Sequence, residues 1–470
     1  MIDPERATLV EAAAALVHGA VSSEELTRAC LARAHRLNPT LNCFLRIEDE
    51  AALAAARRAD AARADGRPLG VLHGVPIAVK DMFYDAARET SSGSAIRRGF
   101  RSATTATALA RLKAAGAVVL GALNMTEFAL GPTGHNPFYG ACHNPWNPEH
   151  IAGGSSSGSG AAVAARIAFG TLGSDTGGSI RLPATANGIL GIKPTYGRVP
   201  RTGAMPLSWS IDHVGPLART AADLARLLGV LAGHDPGDPT ASRRPVPDYE
   251  AALGAGVAGL RLGVPKNFFF DEVEPDVRRA IDAALATLEG AGARCVEVVV
   301  PAAEQLTELG RTVVYAEASA LHGHWLRTRP QDYSPQVRAR VATGIGIPAA
   351  AYAEALQLRA VLLRAFCEQT LGACDVLVTP ALGIDVPTLA ATDVGGSASM
   401  WTTIARLLKC VAPFNYLGVP ALSVPVGFTP RGLPAGLQLV GRPFAEATLL
   451  GVAAAYQRLT HWHERLPPVH

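Results

Sequence analysis

Lysine is scarce in this chain. Of 470 residues, 43 are Lys or Arg, yet only five are lysines, at positions 80, 113, 193, 266 and 409. Lysine can lose its proton when buried and arginine cannot, so a neutral amine is confined to very few places. Cysteine pairing is missing as well. Cys30, Cys43, Cys142, Cys295, Cys367, Cys374 and Cys410 are odd in number, scattered and free of CxxC spacing, which indicates neither a disulfide framework nor a zinc site. No uncharged apolar run approaches the roughly 18 residues of a membrane-spanning helix. The N-terminus, MIDPERATLVEAAA, has early acids and no basic segment leading into an apolar core, so a signal peptide is not expected. An excess of one charge sign is absent too: 43 basic residues against 40 acidic ones leave +3, which gives no argument for a nucleic-acid or anionic-membrane partner. The 13 histidines include no HExxH or other ligand spacing, and His73, His213, His322 and His324 read as packing or hydrogen-bonding residues. A cytoplasmic globular protein with a large core is the expectation, since 49% of the residues are hydrophobic.

Several elements are legible. Thr8 with Glu11, and Ser22 with Glu25, have capping-box spacing ahead of apolar-periodic stretches, and an Ala-rich helix is predicted over Glu50–Ala64. The first 65 residues therefore read as a helical segment. Gly74–Lys80 (GVPIAVK) reads as a strand, with Val75, Ile77 and Val79 on one face and Lys80 on the other. A helix near Thr105–Ala115 and a strand at Ala117–Leu120 follow. From Asn124 to about Pro216 the chain is rich in Gly, Ser, Pro and Asn, a stretch too long to be an idle linker. Downstream, strands are predicted at 260–264, 295–300, 375–379, 421–426 and 436–440, and helices near Asp276–Leu288, Ala349–Gln369 and Ala445–Leu459. Such alternation argues for an α/β sheet covered by helices. Gly233–Pro247 is the most linker-like segment and reads as a surface connection within one domain spanning 1–470.

Two clusters carry chemistry. Gly153–Gly160 (GGSSSGSG) precedes an apolar helical stretch, and such a junction exposes backbone N–H groups to a developing negative charge. No lysine follows in P-loop position. Gly154–Gly158 also matches the G-x-S-x-G nucleophile elbow, which would make Ser156 the nucleophile, but residues 142–153 make a poor strand to lead into it. The second cluster is Gly173–Pro183 (GSDTGGSIRLP). Thr176, Gly177, Gly178 and Ser179 would offer consecutive N–H donors beside a hydroxyl, the makings of an oxyanion hole. A helix between the clusters could bring them face to face.

On these residues the chain resembles the amidase signature family. Gly74–Asp81, Gly153–Gly160 and Gly173–Pro183 match its lysine strand and its two serine turns. Flanking LNCF (41–44), GVLHG (70–74), LNMTEF (123–128), GIKPTYGRVPR (191–201), DHVGP (212–216) and PFNYLGVPALSVPVGF (413–428) extend the likeness from about Leu26 to Gly441. The resemblance implies a large mixed β-sheet core covered on both faces by helices. It implies a Ser-cisSer-Lys triad of Lys80, Ser155 and Ser179, with Ser155 at a cis peptide bond and Ser179 as nucleophile. Ser157 and Asn187 depart from the commoner glycine and cysteine.

The implied chemistry is coherent. A serine hydroxyl needs an adjacent base, and lysine can serve only when neutral. Lys80 would take a proton from Ser155, which takes one from Ser179; the amides of Thr176, Gly177, Gly178 and Ser179 would hold the oxyanion. Asp175 and Arg181 would brace the nucleophile turn, and Met125, Gly153, Gly154 and Trp209 would contact substrate, with Phe128, Tyr139 and Trp401 as further apolar candidates. No metal and no cofactor is implied. The main expectation is a stand-alone hydrolase of small-molecule amides with no nucleic-acid and no membrane partner, a homodimer being left open. A second reading makes the chain the glutaminase-type A subunit of a tRNA-dependent amidotransferase. Family members of that type commonly carry an acid shortly before the PFN-like segment to hold the glutamine amine, whereas ARLLKCVA (405–412) is basic and apolar. A third reading, an inactive scaffold, is opposed by the retention of all three triad residues.

Overall fold

The computed structural model describes residues 3–469. Both predicted capping boxes form: the Glu11 amide donates to Thr8 Oγ1 at 3.1 Å and the Thr8 amide to Glu11 Oε2 at 2.8 Å. The same reciprocal pair starts the next helix at Ser22 and Glu25. The helices used below are α1 (Leu9–Val17), α2 (Ser23–Leu41), α3 (Asp49–Ala64), α4 (Thr107–Ala114), α5 (Ser157–Ala164), α6 (Arg181–Asn187), α7 (Ala221–Leu231), α8 (Pro275–Gly290), α9 (Ala303–Thr328), α10 (Pro335–Thr343), α11 (Ala349–Ala365), α12 (Ser399–Leu408), α13 (Pro413–Leu417) and α14 (Glu446–Leu459).

The strands are β1 (Phe44–Ile47), β2 (Pro76–Lys80), β3 (Val118–Leu123), β4 (Gly170–Asp175), β5 (Leu190–Lys193), β6 (His213–Ala218), β7 (Arg261–Pro265), β8 (Arg294–Val298), β9 (Val376–Pro380), β10 (Ala421–Phe428) and β11 (Pro434–Val440). They form one mixed sheet in the order β1-β3-β2-β4-β6-β5-β10-β11-β9-β7-β8. β2 runs parallel to β3 and β4, and β7 parallel to β8 and β9, while the central β4-β6-β5-β10-β11 run is antiparallel. Neighbouring side chains of a strand point to opposite faces, yet every residue of β2, β4, β6 and β11 is buried. Both faces of the sheet centre are therefore covered, as the α/β expectation required.

Two differences from the sequence reading bear on the site. The N-terminal 65 residues are not purely helical: Phe44–Ile47 pairs antiparallel with β3 as the sheet's edge strand, too short to show a period. More consequentially, the Gly/Ser-rich stretch 124–216 is not a long loop. It contains α5, β4, α6, β5 and the first residues of β6. The strand signal fails there because close packing demands small side chains. A Cβ on Gly173 would lie 2.8 Å from Leu217 Cδ1 and 3.0 Å from Ser156 Oγ. A Cβ on Gly158 would meet the Cys43 carbonyl oxygen at 2.3 Å. α5 thus lies against the sheet at a distance only glycine and serine permit, and this close seat holds the two serine clusters together.

Candidate active site

Lys80 is the last residue of β2, and the parallel pairing of Val79 with Leu172 sets it beside Ser174 near the end of β4. Its Nζ lies 2.7 Å from Ser155 Oγ and 2.8 Å from Ser174 Oγ, and the side chain is fully buried. Desolvation lowers its pKa from the usual lysine range to about 7, against the opposing pull of the Asp175 and Asp212 carboxylates. About half of such a group is neutral near pH 7. Ser174 was not foreseen from the sequence, where nothing separates it from other serines in a Gly-rich turn.

Ser155 follows a cis peptide bond at Gly154–Ser155. Its loop and the Ser179 loop are tied by the Ser156 amide, which donates to the Ser179 carbonyl at 3.2 Å. Among the described residues no hydrogen bond joins the Ser155 and Ser179 hydroxyls. Ser156 itself exchanges bonds with the backbone of Ser174, its Oγ donating at 3.2 Å and accepting at 3.3 Å. It is fully buried, so the elbow reading has no accessible nucleophile.

The Ser179 turn is braced from below. Asp175 accepts from the amides of Gly178 (2.7 Å) and Ile180 (3.0 Å) and pairs with Arg181 at 2.9 Å, both side chains fully buried. Burial alone would raise the Asp175 pKa, but the Arg181 guanidinium outweighs it and holds the carboxyl well below the usual range. Arg181 reaches on to the Val411 carbonyl, Asn415 and Gln438, two side chains the sequence reading missed. Asp175 and Arg181, the two residues expected to brace this turn, lie against it in this hydrogen-bonded arrangement. One consequence runs against expectation: the Gly178 amide is committed to Asp175, which leaves those of Thr176, Gly177 and Ser179 for an oxyanion. Thr176 is held through its hydroxyl, which donates to Asp212 at 2.6 Å. Asp212 is buried and its pKa is raised by desolvation, despite the Thr176, Ser208 and Leu207 hydrogen bonds.

Ser179 is 8% exposed and opens into a cavity of about 110 Å³. Thr176, Gly177, Gly131 and Pro132 line it together with Ser179. α9 contributes Thr307, Glu308, Arg311, Val314 and Tyr315, α10 contributes Arg340, and α12 contributes Trp401, Ile404, Ala405 and Leu408. Of the expected contact residues, only Trp401 is in this lining. Met125 is fully buried in the core, where its carbonyl accepts from Asn136. Gly153 and Gly154 are occupied by backbone packing, since added Cβ atoms would meet Pro183 Cα at 2.8 Å and the Gly131 carbonyl oxygen at 2.6 Å. Trp209 is 41% exposed and faces a different pocket with Met82, Ser174 and Asp212. Phe128 stacks among His322, Trp325 and Tyr333. Tyr139 accepts from Asn42 through its carbonyl, outside the lining. Side-chain size had singled out Met125, Phe128, Tyr139 and Trp209, but it does not tell a core residue from a pocket one.

The Amidase family model matches residues 25–450. The chain belongs to the Amidase family. The A subunit of the glutamyl-tRNA(Gln) amidotransferase from Chloroflexus aurantiacus is 44% identical, over 99% of each chain. A solved structure described as part of a vestigial protein complex, bearing on the origins of an s-triazine catabolic enzyme, superposes with a TM-score of 0.90 at 35% identity, over 96% of this chain and 98% of that one. The crystal structure of the A subunit of the glutamyl-tRNA(Gln) amidotransferase from Thermotoga maritima gives 0.84 at 30% identity, over 100% and 99%.

These likenesses overturn the main expectation. A stand-alone hydrolase of small-molecule amides with no nucleic-acid partner is not what full-length relatives are named for; their names match the second reading, one component of a tRNA-dependent enzyme. Near-zero net charge does not decide the question, because one component of an assembly needs no basic surface of its own. The absence of an acid from 405–412 bears on which amide donor a pocket could hold, not on membership of an assembly. Among the described residues no helix is long and apolar enough to cross a membrane.

Proposed function

We propose that this chain is the amidase component of a tRNA-dependent amidotransferase, hydrolysing an amide donor at Ser179 and supplying the released ammonia to partner subunits, which amidate glutamyl-tRNA(Gln). The observation that carries the chemistry is the buried amine of Lys80, 2.7 Å from Ser155 Oγ and shifted to about 7. Neutral Lys80 takes the Ser155 proton as Ser155 takes that of Ser179. The Ser155–Ser179 contact tightens when substrate fills the cavity, as catalytic hydrogen bonds of unliganded sites do. Ser179 Oγ attacks the amide carbon, and the amides of Thr176, Gly177 and Ser179 face the oxyanion. Ser155 returns a proton to the nitrogen, ammonia leaves, and water cleaves the acyl-enzyme by the reverse relay. The amidotransferase assignment is supported by the 44% identity over 99% of both chains.

The cavity supports a donor with a carboxylate. Arg340 is 4% exposed, donates through Nε to Tyr315 (3.1 Å) and through Nη1 to the Leu130 carbonyl (3.0 Å), and has no carboxylate partner among the described residues. Its Nη2 is uncommitted, and a buried, unpaired guanidinium beside a nucleophile is a ready partner for a substrate carboxylate. The assignment is tested by following donor amide nitrogen with a ¹⁵N label. With the partner subunits and glutamyl-tRNA(Gln) added, ammonia release rises at least ten-fold and the label enters the tRNA-bound amide. Release indifferent to both additions, with label only in free ammonium, would overturn the reading.

A further inference from the structure

We propose that the amide donor carries a carboxylate but no ammonium group, so that the pocket prefers a deaminated analogue, such as glutaramate (the monoamide of glutaric acid), to glutamine. The inference rests on the reading of Ser179 and Arg340 just given. It follows from what else lines the cavity that Arg340 lines. The α12 wall is Trp401, Ile404, Ala405 and Leu408, a helical stripe without an acceptor side chain. Glu308 is the one carboxylate in the cavity lining; its side chain is 56% exposed at the rim and is already paired with Arg311. The Tyr315 hydroxyl and the Leu130 carbonyl are taken by Arg340, Asn415 is taken by Arg181 and Asp175, and the Tyr416 hydroxyl donates to the Ala355 carbonyl; Thr307 Oγ1 is buried without a partner, but a neutral hydroxyl cannot balance an ammonium charge.

In an α-amino acid the ammonium sits two bonds from the carboxylate. With that carboxylate neutralising Arg340, the ammonium would be left a few ångströms from the guanidinium and against an apolar wall, with no counter-charge of its own. The aromatic rings offer no refuge. Tyr315 already has the Arg340 guanidinium 5.5 Å from its centroid, and it meets Trp401 edge-on at 5.9 Å. A methylene in place of the ammonium-bearing carbon removes the charge repulsion and packs on Leu408 and Ile404. Hydrolysis balances simply: the monoamide and one water give the dicarboxylate and ammonium.

Binding to Ser179→Ala separates this inference from the catalytic reading, because no turnover is needed. Calorimetric titration with glutaramate, L-glutamine and glutaramide is expected to give the tightest binding to glutaramate, with glutamine weaker at least ten-fold and glutaramide, which lacks the carboxylate, weaker still. Adding Leu408→Asp narrows or reverses the glutamine deficit, while adding Glu308→Gln leaves it in place. Glutamine binding as tightly as glutaramate, or no binding of any of the three to folded protein, would overturn the inference. If the preference holds but Ser179 proves unreactive, the amidase reading falls and the pocket's selectivity stands.

Discussion

At the residue scale the site turns on one amine. Lys80 is kept from water, so its charged form is disfavoured and its pKa falls to about 7. A base works when unprotonated, so kcat/KM is expected to rise about ten-fold per pH unit well below pH 7 and to level off above it. An acidic limb centred near the ordinary lysine range, above pH 10, would contradict this. Lys80→Arg keeps the charge and much of the volume but cannot lose its proton, so it should be as inactive as Lys80→Ala, down by about 10²–10⁴-fold. Asp175 works the other way: Arg181 keeps it ionised in the same buried region, and that fixed anion orders the Ser179 turn. The other buried lysine, Lys193, is also pushed well below its usual range by burial, with Arg181 adding to the effect, yet it points to the Val419 carbonyl and His213 and lies outside the cavity lining.

Elements place these residues, and the elements around the site are held at glycine distance. A Cβ at Gly158 would face the Cys43 carbonyl at 2.3 Å and the Asn124 backbone at 2.7 and 2.8 Å. None of these can rotate away as a flexible side chain could. Gly158→Ala is therefore expected to cost about 1–3 kcal/mol, read by denaturant unfolding, and to displace α5 and Ser155 with a loss of activity. A neutral result in both would show that α5 has slack. This tight packing also explains what the sequence disclosed. Capping boxes and apolar runs such as PIAVK and ALSVPVGF announce their elements because they follow solvent- or core-facing periods. GTLGSD of β4 does not, being buried on both faces under helices that admit only small residues. Lys80, Ser155 and Ser179 could be singled out because each of the three motifs that hold them is contiguous in sequence. The pocket, apart from Trp401, could not be: Arg340 and Leu408 come from α10 and α12, more than 160 residues after Ser179, and meet it only through the fold.

For the whole molecule, one eleven-stranded sheet carries both halves of the site. β2 and β4, paired in parallel, deliver the lysine and lead into the nucleophile turn. Helices α9, α10 and α12 close the cavity over Ser179 and decide what enters. Covering both faces leaves Lys80 dry, and under the proposed function the same enclosure makes Arg340 selective. The division suits the function proposed above, with the chemistry set by the sheet and the donor by the covering helices. Its central claim is that Ser179 is the nucleophile, activated through Ser155 by neutral Lys80. A small fluorophosphonate tests it most directly, with intact mass and peptide mapping of the adduct and Lys80→Ala treated in parallel. The account predicts a single adduct on Ser179 that forms far more slowly in the variant; an adduct on Ser156, or equal labelling without Lys80, would contradict it.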